Sequence, residues 1–307
     1  MKVLIAGAGG LIGTRLANAL TSSGNEVAAL VRNVARAANA LPGVTLHVWD
    51  GTAGQPPAAA FDGVDGVVNL IGESVASGRW TDARKKQLRD SRIVSTRALV
   101  DAMRGLGARP KVFVSASGVA YYGDRGDEIL TEASAPGAGF LAELARDWEA
   151  EAMRAQELGV RVVVLRTGAV LDRRGGILGT LLPAFRWGLG ARVGAGTQWF
   201  PWIHVEDQVA LIRHALTDGR ASGALNAVAP EPVTNREFTS VFASTLSRPA
   251  ALAAPAFALR LAVGRKADEL LLASQRVMPV RTLETGFHFQ HPLLRSALRA
   301  ALDENAA

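Results

Sequence analysis

The chain has no cysteine in its 307 residues, so disulfides and thiolate metal sites are excluded. Its five histidines, at positions 47, 204, 214, 288 and 291, show no metal-ligand spacing, and no metal is expected. Tyrosine is nearly absent, with only Tyr121 and Tyr122, and lysine is scarce, at 5 residues against 29 arginines. No apolar run reaches the roughly 18 residues that a membrane helix needs. The stretch AALAAPAFALRLAVG near residue 257 is interrupted by Pro255 and Arg260. The opening MKVLIAGAGGLIG is broken by glycines and followed by Arg15, unlike a secretory signal. A cytoplasmic protein is therefore expected. The formal charge of +6 is scattered along the chain, which supports weak polyanion attraction but no nucleic-acid recognition. The expected partner is a small molecule, neither a nucleic acid nor a membrane, and the sequence carries no signal of oligomeric state.

What is present is ordinary for a globular fold: 49% of residues are apolar and 20% charged, enough to bury a large core. Short β-rich runs alternate with helical patterns: KVLIAG, a helix over 11–23, EVAALVR, VTLHVWD, GVVNLIG, KVFVSAS and RVVVLRTGAV. Such alternation is the mark of βαβ units. The runs are nearly continuous in Val, Ile and Leu, as in strands covered on both faces. An α/β doubly wound parallel sheet, the Rossmann fold, is expected over residues 1–230, with substrate-lobe material at about 175–205. Residues 231–307 are expected as a smaller, mainly helical C-terminal lobe, with helices over NREFTSVFASTLSR and LLRSALRAALDEN.

The strongest motif is GAGGLIG, residues 7–13, set between the first strand and the first helix. Gly7 permits a tight turn, Gly10 lets backbone approach a pyrophosphate, and Gly13 lets the helix pack close, with its N-terminus facing the phosphates. Gly9, Leu11 and Ile12 complete this cradle. At the end of the second strand, Arg32 stands where an NAD-specific fold places an acidic residue for the ribose 2′-hydroxyl. An arginine there favours a 2′-phosphate, with Arg36 able to join it, so NADP is the expected cofactor and NAD the less favoured one. Asp50, closing the third strand, serves either the adenine amine or a turn.

Taken together, GAGGLIG, NLIGE, VSASGVAYYG, VVLRTGAVL and WIHVEDQV resemble the extended short-chain dehydrogenase/reductase superfamily, the NAD-dependent epimerase/dehydratase group. SGVAYYG, DWEAEA, TQWFPWIHVEDQ, NAVAPEPVTNREF and SQRVMPVRTLETGFHF resemble its atypical epimerase-like subgroup, which carries a C-terminal domain of unknown function. The resemblance implies that Asn69, Leu70 and Gly72 line the cofactor and that Glu73 opens the substrate side. It places Arg92 where extended members carry an asparagine, so that a cation either reaches cofactor or substrate or stands as one charge among many. Arg84, Lys85, Lys86 and Arg89 on the same helix read as a solvated face. VVLRTG matches a segment near the nicotinamide, which puts Arg166 at the cleft, although Arg166 is equally readable as a structural ion-pair partner. Ser117 matches the family's catalytic serine, and is equally readable as a turn donor. His204 is a reserve candidate, otherwise a structural histidine. Gln198, Trp199, Phe200 and Trp202 either wall a pocket or pack, and Arg276 closes the cleft.

Typical members of that family use a tyrosine acid tuned by a lysine one helical turn on. No Tyr-x-x-x-Lys occurs in this chain. Counting back from Arg166 by the family's usual spacing puts the tyrosine position at Phe140 and the lysine at Leu144. A shift of one residue gives Leu141 and Ala145. The usual acid is missing. Tyr121 and Tyr122 either face the cleft and take over the proton or pack as an amphipathic wall. Two functions fit: an NADP(H)-binding epimerase-like oxidoreductase acting on a small substrate without the usual acid, or a dinucleotide-dependent sensor without turnover.

Overall fold

The computed structural model describes residues 1–303. Seven strands form one sheet: β1 (Lys2–Ala6), β2 (Glu26–Val31), β3 (Thr45–Val48), β4 (Gly66–Asn69), β5 (Val112–Gly118), β6 (Arg161–Thr167) and β7 (Gly223–Ala227). Their order is β7-β6-β5-β4-β1-β2-β3, and every pairing is parallel. The doubly wound Rossmann sheet expected from the alternating runs is the fold of the chain. The continuous apolar runs are explained by burial on both faces. Ile5, Val68, Val114 and Val163 enter one core cluster, and their neighbours Leu4, Val67, Phe113 and Val162 enter the other. Strand order reverses between β1 and β4, which opens a crevice at their carboxyl ends, the usual ligand position in such sheets.

Two elements differ from the sequence reading. RVVVLRTGAV reads as one strand, but the chain leaves the sheet at Gly168 and continues as a separate strand, Ala169–Asp172, paired with Trp202–His204. A Cβ at Gly168 would lie 2.8 Å from the Pro201 carbonyl oxygen, so only glycine allows this crossing. The seventh strand, GALNA, reads as the approach to a helical lobe, yet it pairs with β6 along its whole length. It is short and contains Gly223 and Asn226, so its strand character comes from the neighbour it meets.

The helices that matter for the site are α1 (Leu11–Ser22), α2 (Asp82–Arg104), α3 (Phe140–Met153) and α4 (Val205–Thr217). The expected C-terminal helices form over Asn235–Thr245 and Leu294–Leu302, while the Glu304-Asn305 end of the second lies outside the described residues. Residues beyond 231 are threaded into the earlier chain. Val233–Thr234 pairs with Trp199–Phe200, Leu252–Ala254 with Ala191–Val193, and Arg276–Val277 with Ile129–Leu130. Leu294, Ala297 and Leu298 share a core with Leu171, Leu178 and Trp202. No helix among the described residues is long and apolar enough to cross a membrane.

Candidate functional site

The crevice at the switch point holds a cleft of about 970 Å³. Its floor is the glycine turn, and the glycines of the motif act in different ways. Gly7 has φ +86°, and a Cβ there would meet the Leu70 carbonyl carbon at 2.8 Å. At Gly13 a Cβ would lie 2.7 Å from Ala8 Cα, so this glycine sets how closely α1 approaches β1. A Cβ at Gly9 would have no neighbour within 4 Å, and one at Gly10 would meet only the Gly7 carbonyl oxygen, at 3.4 Å. The middle glycines therefore face open cleft. Gly10 caps α1 without any side-chain hydrogen bond, so the first-turn N–H groups of the helix point into that space. Leu11 lies against Gly175 and Gly176, and Ile12 packs on the core, so these two offer the cradle backbone and not side chain.

Arg32, Asn33 and Arg36 line one end of the cleft, and Leu70, Gly72 and Glu73 the opposite wall. The Arg32 side chain is 77% exposed and approaches Glu73 at 3.8 Å. Asp50 Oδ1 accepts the N–H groups of Thr52 and Ala53, both at 2.7 Å, and these bonds hold its pKa below the usual value. It forms a turn and also lines the cleft.

Two residues expected at the cofactor are turned away from it. Asn69 is fully buried. It donates to Thr96 Oγ1 (2.8 Å) and accepts from the Ile71 N–H (3.2 Å), so it shapes the loop beneath the cleft. Arg92 donates to the carbonyls of Glu73 (2.8 Å) and Leu88 (3.2 Å) and lies over the Trp148 ring. Burial lowers its pKa to about 10. Its guanidinium braces the Gly72-Glu73 loop from behind and does not reach the cleft as a free cation. The reading of α2 as a solvated basic face is corrected at Arg84, which lines the cleft with Gln87 and Ser91 and lies 3.5 Å from Glu73. Positions 84, 87 and 91 share the helix face of buried Leu88 and Ser95, a periodicity that separates Arg84 from the exposed charges.

The residues expected around the reacting centre form a buried polar network. Arg166 makes a bidentate pair with Glu149, at 2.9 and 2.8 Å, and also donates to Tyr122 Oη at 3.0 Å. Burial works against the Arg166 charge, but the hydrogen bonds and charge of Glu149 outweigh it and raise the pKa. Ser117 Oγ donates to Glu149 Oε1 at 2.6 Å, and Tyr122 Oη donates to Asn226 Oδ1 at 2.7 Å. Tyr122 is fully buried, and burial pushes its phenol up to about 12 despite Arg166. Of the alternatives that the sequence leaves open, the structure takes the packed one for Tyr122, a buried member of the network, and the structural ion pair for Arg166. Tyr121 is half-buried, stacks its ring 3.5 Å from the Arg166 guanidinium, and leaves its hydroxyl without a hydrogen bond among the described residues. Sequence reasoning misses Glu149 because DWEAEA reads as packing, and nothing local distinguishes a glutamate whose partner lies on the next strand.

The positions counted for the acid pair are apolar in either register, Phe140 with Leu144 or Leu141 with Ala145, and of these Leu141, Leu144 and Ala145 are buried. Leu141 and Leu144 are buried against Leu88, with Trp80, Phe140 and Leu270 around them. The chain enters α3 through Gly139, at φ +108°, and Glu269 from the C-terminal segment accepts the Leu141 N–H at 2.8 Å. One acidic side chain and one leucine of that segment therefore seal the start of the helix. In the aromatic stretch, Gln198 donates to the carbonyls of Val193 and Leu271, Trp202 is buried, and Arg276 stacks on Trp199 at 4.5 Å. His204 is buried as well and accepts the Glu206 N–H at the start of α4.

A parallel sheet with a glycine turn opening on its switch point defines a doubly wound nucleotide-binding protein. The chain belongs to the NAD-dependent epimerase/dehydratase family, whose model matches residues 3–227, followed by a domain of unknown function (DUF1731) over residues 254–301. It is 41% identical to the epimerase family protein ML0860 of Mycobacterium leprae, covering 97% of this chain and 95% of that one. It is 37% identical to the human epimerase family protein SDR39U1, covering 97% and 99%. The crystal structure of human SDR39U1 (isoform 2) with NADPH superposes with a TM-score of 0.86 at 36% identity, over 97% of this chain and 98% of that one. UDP-glucuronic acid 4-epimerase from Bacillus cereus, in complex with UDP-glucuronic acid and NAD, shares the fold at a TM-score of 0.79 and 15% identity.

Proposed function

We propose that the protein is an NADP(H)-dependent, epimerase-like oxidoreductase that acts on a small substrate without a Tyr-Lys acid. The observation that carries the cofactor half is the glycine turn: a Cβ is forbidden at Gly7 and Gly13 by backbone, whereas Gly9 and Gly10 face open space. That pattern suits a pyrophosphate held on backbone N–H groups. Gly9, Gly10, Gly13 and the backbone of Leu11 and Ile12 would hold the phosphates, and Leu70 and Gly72 the opposite wall. Arg32, with Arg36 and Arg84 nearby, would meet a 2′-phosphate. Human SDR39U1, similar over nearly the whole chain, was crystallised with NADPH, which favours the same cofactor here. When bound, NADPH would supply a hydride; the chain would supply the cradle, apolar side chains at the counted acid positions (Phe140 with Leu144, or Leu141 with Ala145), and the Tyr121 phenol, whose hydroxyl makes no hydrogen bond among the described residues.

A second reading, a dinucleotide-dependent sensor, is favoured by those same apolar side chains and by the commitment of Ser117 and Tyr122 to the network. The two readings separate in one experiment. NADPH is incubated with the protein and a metabolite library, and loss of its nicotinamide absorbance is followed. Turnover with any member supports the oxidoreductase, and unchanged absorbance with tight NADPH binding supports the sensor. Equal affinity for NADPH and NADH overturns the assignment of the 2′-phosphate site. A Tyr121→Phe variant with undiminished turnover removes the phenol from the chemistry.

A further inference from the structure

His204 and His291 are far apart in sequence and show no ligand spacing, yet the fold brings them together with Glu206. One donor atom from each lies within 4.8 Å of the other two. Glu206 Oε2 is 2.8 Å from His291 Nε2 and 3.9 Å from His204 Nδ1. Around a tetrahedral zinc with bonds of roughly 2.0–2.1 Å, neighbouring ligand atoms sit about 3.3 Å apart. The two measured spacings bracket that value, so a small side-chain adjustment places all three on one ion.

The surrounding protein leaves His204 under-used. Its Nδ1 takes a 3.3 Å contact from the Glu206 N–H, and its Nε2 is buried with no hydrogen-bond partner among the described residues. A buried imidazole nitrogen without a partner is costly. The ring lines a cavity of about 20 Å³ with Arg15 and Asp172. That is room for about one water, beside an Asp172 carboxylate already paired with Arg15 at 2.6 Å. The position of His291 is imposed from outside: Asp207, fully buried, accepts the N–H groups of Gln290 (2.7 Å) and His291 (3.0 Å). The two imidazole centroids stand 3.9 Å apart, and Glu206 remains exposed beside them, giving an ion a route in.

We propose that His204, Glu206 and His291 form a binding site for a divalent transition-metal ion of the zinc type, clamping the C-terminal segment to the start of α4. Two imidazoles with one carboxylate suit zinc and its neighbours better than calcium or magnesium, which take oxygen ligands. Three protein ligands leave the fourth position to solvent. The site stands apart from the glycine cleft and does not depend on the cofactor assignment.

The test uses the full, tag-free chain, freed of metal with a chelator and titrated with zinc sulfate against a chromogenic indicator. Thermal melting is followed in parallel. One zinc per chain and a raised melting temperature are expected, with four-coordinate cobalt(II) absorption when cobalt replaces zinc. His291→Ala and Glu206→Gln, both at positions that are not fully buried, should each weaken zinc binding by more than the roughly 10–100-fold that loss of a supporting outer partner costs. His288→Ala, three residues from the segment's bound imidazole, should leave it unchanged. NADPH titration of each variant reports that the rest of the fold is intact. No zinc uptake by the native chain, or an affinity unaltered in His291→Ala, overturns the proposal.

Discussion

Glu149→Ala is the substitution whose cost can be worked most directly from the structure. The carboxylate and the Arg166 guanidinium are both under a tenth exposed, and they meet through two hydrogen bonds, at 2.9 and 2.8 Å. Truncation removes both bonds, takes the acceptor from Ser117, and leaves a buried cation whose remaining hydrogen bonds among the described residues go to Tyr122 Oη and the Glu132 carbonyl, with the Tyr121 ring stacked on it. Breaking a buried pair on one side costs about 3–5 kcal/mol, a large part of the roughly 5–15 kcal/mol that folded domains possess. With a urea slope of about 1–3 kcal/mol/M, the unfolding midpoint should fall by at least about 1 M. Replacing both partners by apolar residues, as Glu149→Leu with Arg166→Met, should restore much of the loss, because no charge is then left buried. Urea melts by circular dichroism decide it. A Glu149→Ala midpoint within experimental scatter of the parent, or a double variant no better than the single, would falsify the network's structural role.

The other expectations rest on separate parts of the molecule. Gly10→Val should retain the parent's melting temperature and lose NADPH binding, whereas Gly13→Val should fail to fold stably, since its Cβ would press on Ala8 Cα at 2.7 Å; fluorescence titration beside thermal melts compares them. Arg32→Ala should narrow the NADPH-over-NADH preference by about 10–100-fold, the value of one charge-assisted contact, and an unchanged ratio would remove Arg32 from the site. Tyr122→Phe strands the buried Asn226 Oδ1 acceptor and should cost about 1–3 kcal/mol in a urea melt. The folded pKa of Tyr122 lies at about 12, above its ordinary 10.0, so the native state holds the phenolic proton more tightly. Its contribution is complete below pH 10 and is lost as pH rises towards 12. The alkaline fall in the urea midpoint should therefore be shallower in Tyr122→Phe, and parallel curves would contradict the assignment.

The sheet and the cradle are legible in the sequence because both are written locally: Val-rich runs between turn signals, and glycines at fixed spacing between a strand and a helix. What escapes is set by partners distant in sequence. Asn69 and Arg92 occupy motif positions near the cleft, but their orientation depends on Thr96, Glu73 and Trp148, and no spacing rule says which way a polar side chain turns. Arg84 is hidden among like charges until helix periodicity places it beside Leu88. Gly223–Ala227 lacks a strand's β-branched composition and becomes one because β6 offers an edge, an instance of neighbour overriding propensity. The His204-Glu206-His291 cluster is the extreme case, since its members come from two segments joined only by the fold.

The hydrocarbon at the acid position and the buried network beside it constrain the chemistry in the same direction. General acid–base help is typically worth about 10²–10⁴ in rate. On the proposed reading, the counted acid positions offer none, whether Phe140 with Leu144 or Leu141 with Ala145, Ser117 has committed its hydroxyl proton to a hydrogen bond with Glu149, and Tyr122 holds its own to high pH. An ordinary ketone, which gains negative charge on oxygen as hydride arrives, would find no uncommitted donor in this network except Tyr121. A conjugated or quinone-like acceptor spreads that charge over its own framework and needs less help. On that reading the native protein should reduce a quinone faster than a plain ketone, and Tyr121→Phe should widen that gap if the phenol assists the ketone. Brisk reduction of plain ketones by Tyr121→Phe would mean that the proton comes from a group outside the network, and the argument from the emptied position would fail.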